Sequence, residues 1–131
     1  MVTPIPTGRD VIAFYTDSEK SEEGIIAPAG MRFFLPQKVP RSGNLKRFLV
    51  QFPAGTGYLV TVRLFYSTPT NCLLPVYGYG YIQMENDKYD NPHLHIPVKI
   101  AKNLYVEIRN SSMFQQQLFA LAEIEPNLVI L

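Results

Sequence analysis

Apolar side chains in this chain recur at every second position, in short runs that proline and glycine interrupt. From Tyr58 to Tyr66 one face carries Tyr58, Val60, Val62, Leu64 and Tyr66, while the other carries Leu59, Thr61, Arg63 and Phe65. Leu94, Ile96, Val98 and Ile100 alternate in the same way across His93–Ile100. So do Leu104, Val106 and Ile108 against Tyr105, Glu107 and Arg109. Successive side chains of a strand point to opposite faces, so the pattern is that of strands with one face in a core. No window of eleven or more residues places apolar positions at helical spacing. Val, Ile, Thr, Phe and Tyr supply 43 of the 131 residues, and these types favour pleated, half-buried surfaces.

Weaker or fully buried strands are expected at Val11–Tyr15, Met31–Leu35, Lys46–Phe52, Val76–Gln83, Gln117–Ile124 and Leu128–Leu131. About nine short strands bounded by turn residues predict an all-β fold: a single-domain antiparallel β-sandwich with little or no helix. Pattern alone leaves strand order open, so jelly-roll and immunoglobulin-like sandwiches are both compatible with it. Residues 1–131 form one domain, with 1–10 a Pro-rich N-terminal arm. Pro97 has no amide hydrogen to give to a ladder, which places its strand at an edge.

A hydrophobic content of 47% excludes a disordered chain, and a net charge of +1 excludes a polycationic coat. The start, Met1-Val2-Thr3-Pro4-Ile5-Pro6, lacks the basic stretch and apolar run of a signal peptide, so synthesis in the cytoplasm is expected. The longest apolar stretches are about six to eight residues, against roughly 20 for a membrane span. Cys72 is the one cysteine and has no motif around it, so it reads as a small buried residue. No nucleophile elbow, phosphate-cradling loop or dinucleotide fingerprint occurs, and no enzyme is expected.

Four constellations could carry chemistry. His93 and His95, two apart on a strand, would project from one face as a chelating pair must. They resemble the His-x-His of cupins, which implies a metal centre, but the glutamate that cupins place about five residues later is missing from Ile96–Ala101. The acidic loops Thr16–Gly24 and Met84–Pro92 lack the spacing of a calcium loop. Tyr77, Tyr79 and Tyr81 alternate with Gly78 and Gly80 and would form a flat aromatic platform, able to stack on a sugar ring. The segment from Lys38 through Arg41 and Lys46 to Arg47, with Pro36–Asn44 read as a surface loop, is basic and has phenylalanines around it. The rest of the chain is too acidic for a steering field, which argues against nucleic acid as partner.

Charge is segregated along the chain. Residues 1–23 include Glu19, Glu22 and Glu23, whereas no acid occurs from Gly24 to Met84. An acidic patch on one copy could therefore dock on the basic segment of another. Tyr105, Phe114 and Phe119, with a tail that includes Leu128 and Ile130, exceed what one small core can hide. The short strands, Pro-rich arm, Gln115-Gln116-Gln117 turn and C-terminal strand Leu118–Ile124 resemble, in type, small virion proteins of jelly-roll architecture, such as phage head decoration, capsid or tail subunits. The resemblance implies a non-catalytic structural subunit, a homo-oligomer or a partner of other subunits, without cofactor and finally resident in a virion or similar particle. A glycan-binding module on the tyrosine platform, and a cupin-like metal enzyme at His93 and His95, are the alternatives.

Overall fold

A computed structural model describes residues 8–75 and 80–127 of the chain. It contains ten strands: β1 (Asp10–Phe14), β2 (Ile25–Ala27), β3 (Arg32–Lys38), β4 (Gly43–Gln51), β5 (Val60–Tyr66), β6 (Cys72–Leu74), β7 (Lys88–Asn91), β8 (Ile96–Val98), β9 (Asn103–Asn110) and β10 (Gln116–Pro126). The one helical element among the described residues is a 3₁₀ segment at Ser18–Glu23. No helix among the described residues is long and apolar enough to cross a membrane.

The strands form two antiparallel sheets. Sheet I runs β1-β10-β4-β7, with β2 beside the start of β10 and β8 beside the start of β4. Sheet II runs β3-β9-β5-β6. Taken as single broken strands, β1 with β2 and β7 with β8 reduce ten strands to eight positions, four in each sheet. The chain then changes sheet at every connection but β5–β6. That order is the double Greek key of a jelly roll, so the expected all-β sandwich is present and its strand order is settled.

Each break in a strand has a local cause. Opposite β10, residues 116–118 pair with β2 and residues 120–124 pair with β1. The 3₁₀ segment fills the gap. Asp17 starts it by accepting from the Glu19 amide at 2.9 Å, and Gly24 ends it at φ +68°, where a Cβ would lie 2.6 Å from the Leu118 carbonyl oxygen. On the other side, β4 carries a bulge: Glu123 faces Arg47 and Ile124 faces Leu45, which leaves Lys46 without a partner on β10. The neighbouring strand is broken at the same level. β7 pairs with residues 48–51, β8 pairs with 43–45, and residues 92–95 cross the bulge between them.

This bulge corrects the long strand expected at His93–Ile100, of which only Ile96–Val98 is strand. Pro97 lies, as expected, in a strand paired on one side alone. The loop expected at Pro36–Asn44 is also shorter, since β3 continues to Lys38 and β4 begins at Gly43. Of Val76–Gln83, residues 76–79 lie outside the described residues, and 80–83 contribute a single bridge, Ile82 to Val62, rather than a strand. The expected strand Leu128–Leu131 also lies outside them.

The inner faces meet in one core. Sheet I supplies Ile12, Phe14, Leu45, Phe48, Val50, Leu118 and Ile124, all buried, and sheet II supplies Val60, Val62, Leu64, Leu104, Val106 and Ile108. These are the alternating positions of the sequence, removed from water at roughly 25 cal/mol per Å² of apolar area.

Candidate functional site

A jelly roll gathers its connections at its two ends. At one end here lie the β2–β3 turn (28–31), the β4–β5 loop (52–59), the described residues 80–87 ahead of β7 and the β9–β10 loop (111–115). The Asn110 amide donates to the Met31 carbonyl at 2.8 Å, and the Ser111 amide to that of Leu59 at 2.9 Å, so three of these connections are tied side by side. Of the nine large hydrophobic residues left exposed among the described residues, six lie on these connections: Tyr81, which turns onto the Arg63 guanidinium, and Met31, Tyr58, Leu59, Met113 and Phe114. Met113 is 88% exposed and Phe114 70%.

The loops that present these side chains are held by buried polar groups. Asn110 donates through Nδ2 to the carbonyls of Ala27 and Phe114, both at 2.9 Å. Its Oδ1 accepts from the Ser112 amide at 2.9 Å and from the Ser112 hydroxyl at 2.6 Å. Gln116 donates to Ser112 Oγ at 3.2 Å. Asn110, Ser112 and Gln116 are all buried, so the turn under Met113 and Phe114 is fixed from within. The β4–β5 loop is clamped in a comparable way. The Glu85 carboxylate accepts from Gly55 N at 2.6 Å, from Thr56 Oγ1 at 2.7 Å and from Gly57 N. These bonds, that from the Thr56 hydroxyl foremost, hold the Glu85 carboxyl below its ordinary range. The result is an end whose loops are held by internal hydrogen bonds and whose apolar side chains face water.

Sequence reasoning reached these connections through Phe114 and Tyr81. Tyr58 and Leu59 were expected in the strand Tyr58–Tyr66 and Met31 in Met31–Leu35, but β5 begins at Val60 and β3 at Arg32, which leaves all three on loops; Met113 carried no signal, because these loops meet only after the strands pair. The remaining candidates are scattered. Lys38 and Glu22 line one groove of about 450 Å³ between the free edges of β1 and β3, together with Val11, Tyr15 and Pro40. Glu19, Glu22 and Glu23 are exposed on the 3₁₀ segment. Arg41 is already paired within the molecule, with Asp10 at 2.6 and 3.0 Å. Arg47 bonds Asp90 at 2.8 Å and Glu123 at 2.8 Å. Hydrogen bonds from Arg41 and Arg47 lower the carboxyls of Asp10 and Asp90. Two cations of the basic segment are therefore neutralised inside the chain. Tyr105 stands on the outer face of sheet II, where its hydroxyl accepts from Asn103 Nδ2 at 3.2 Å.

His93 and His95 lie in the 92–95 link that crosses the bulge, exposed on either side of buried Leu94. The Lys46 ammonium lies 2.7 Å from His95 Nδ1, and an ammonium can only donate, so this nitrogen accepts. Among the described residues no three His, Cys, Asp or Glu side chains converge to hold a metal. Tyr77 and Tyr79 fall outside the described residues, as do Leu128 and Ile130. Tyr81 is exposed, lies over the Arg63 guanidinium at 4.8 Å, and borders a cleft of about 430 Å³ with Leu74, Pro75, Met84 and Tyr89. Cys72 is half-buried in β6, where burial pushes its thiol up.

The sequence matches no protein-family model and no curated protein, so the site is read from its own geometry.

Proposed function

We propose that the protein is a non-catalytic structural subunit of a larger assembly, acting through protein–protein contacts at the apolar end of its sandwich. The observation that carries this reading is the placement of Met113 and Phe114, exposed on a loop whose backbone is pinned by Asn110, Ser112 and Gln116. Apolar side chains in water favour burial, and a loop fixed beforehand loses little entropy on docking. Met31, Tyr58 and Leu59 extend the same surface over two further loops. The jelly roll is a fold of viral capsid subunits as well as of lectin domains and cupins. A virion component, made in the cytoplasm and carried into the particle, is accordingly the kind of subunit we propose, an argument from fold and type.

The test is sedimentation of the full chain over a range of concentrations, beside a Met113→Ser/Phe114→Ser variant. Concentration-dependent association that the variant loses is the expected result. A wild-type chain that stays monomeric at high concentration removes the support for this reading.

A further inference from the structure

The outer face of sheet II carries charge that the chain does not balance. In register across β3, β9 and β5, one row reads Arg32, Arg109, Thr61 and the next reads Phe34, Glu107, Arg63. Glu107 is 1% exposed although it faces outward, because its neighbours close over it. It accepts from Arg32 Nε at 2.9 Å and Nη2 at 2.6 Å, and from Arg63 Nε at 2.7 Å and Nη2 at 2.8 Å. Ring faces fix both guanidinium groups further: Arg32 lies over Phe34 at 5.5 Å, and Arg63 over Phe65 at 5.2 Å and Tyr81 at 4.8 Å. Each arginine thus spends its Nε–Nη2 edge on Glu107 and keeps Nη1 free of that carboxylate.

Arg109 stands directly opposite Arg32, exposed, and no carboxylate among the described residues bonds it. Like charges facing each other across a ladder are destabilising. Arg32 and Arg63 share the single carboxylate of Glu107 and Arg109 has none, so this cluster of three guanidinium groups carries two positive charges uncompensated. Beside Arg109 in the same row, Thr61 Oγ1 is buried and has no hydrogen-bond partner, a hydroxyl with a proton to give.

We propose that this face is a binding site for a dianionic oxyanion group, a phosphate or sulfate, held by Arg32 and Arg109 with the Thr61 hydroxyl beside them. The unused fork of Arg109 and the free Nη1 of Arg32 suit the oxygens of such a group, and its two charges match the two that this arginine cluster leaves over. Tyr81 and Phe34 border the site and offer ring surface to whatever carries the anion. The inference is independent of the apolar end, which lies on other residues.

Calorimetric titration of the full chain with sodium sulfate and with inorganic phosphate, at ionic strength held constant by chloride, tests it. Acetate serves as the monoanion control. We expect saturable binding of one sulfate or phosphate, weakened roughly tenfold or more in Arg32→Gln/Arg109→Gln and to a smaller degree in Thr61→Val. Heparin distinguishes the sources: tighter binding than free sulfate points to a sulfated polymer, and equal binding to the free ion. Sulfate and phosphate binding no better than acetate overturns the proposal, as does undiminished binding by the double variant. The Met113→Ser/Phe114→Ser chain should bind the anion as wild type does, which separates this result from that of the assembly test.

Discussion

Glu107 shows how a single charged residue can be placed inside an apolar pattern without breaking it. Burial alone would raise its carboxyl, but the hydrogen bonds from Arg63 and Arg32 outweigh that cost and hold it below the ordinary glutamate range. A carboxyl that is more acidic folded than unfolded contributes stability that is complete above the ordinary range and lost as pH falls through it. Asp10, Asp90 and Glu85 shift the same way, so their contributions add in sign. Thermal melts should accordingly show a midpoint that is flat near neutrality and falls below about pH 4. In Glu107→Gln that acid-dependent fall should shrink, and the loss of charged hydrogen bonds should cost roughly 2–3 kcal/mol at neutral pH, read by urea denaturation. The alternation in β9 announced an outward Glu107; that two arginines from two other strands would close over it was not legible, since the pairing is non-local.

The elements were read well where one face is buried and the other wet. Asn103–Asn110 matches β9 at both ends, and Val11–Tyr15 and Gln117–Ile124 fall within a residue or two of β1 and β10. Three short strands escaped notice: Ile25–Ala27, Cys72–Leu74 and Lys88–Asn91. Three or four residues are too few to display a period, and Lys88–Asn91 has almost no apolar residue to display. They are strands because a long neighbour offers them an edge. The long strands have their own requirements. A Cβ on Gly43 would stand 2.1 Å from the Glu125 carbonyl oxygen and 2.7 Å from Pro126 Cα, both backbone atoms that have little room to retreat. Gly43→Ala should therefore destabilise by roughly 1–3 kcal/mol, seen as a lower denaturant midpoint with unchanged slope. Asn110→Ala removes the anchor of the β9–β10 loop. It should cost about 1–3 kcal/mol and speed hydrogen exchange of the amides at 111–115 while leaving those of β5 protected.

For the whole molecule, the two outer faces and the end loops have different characters. The outer face of sheet I pairs its charges internally, along Arg9, Glu123, Arg47 and Asp90. That of sheet II leaves positive charge over, and the end loops leave apolar surface over. Met113→Ser/Phe114→Ser should be near neutral for stability, within about 0.5 kcal/mol, because neither side chain is packed in the free chain. Its effect belongs to association alone, so unchanged unfolding with lost self-association is the expected pair of results. Lost stability without a change in association would mean that these residues serve the fold.

Period-two alternation, punctuated by proline and glycine, was enough to determine that the chain is an antiparallel sandwich and many of the side chains that fill it, because burial of one sheet face is written in adjacent residues; Tyr58 and Ile100, of the same alternation, lie past the ends of their strands and are exposed. Which strands lie side by side was decided only by the tertiary structure. The order β1-β10-β4-β7 over β3-β9-β5-β6 joins segments more than a hundred residues apart, Asp10 to Ile124 among them, and no local pattern encodes such pairings. The same holds for the apolar end and the arginine face. Each is assembled from residues on three connections or three strands, so each exists as a surface only once the chain has folded.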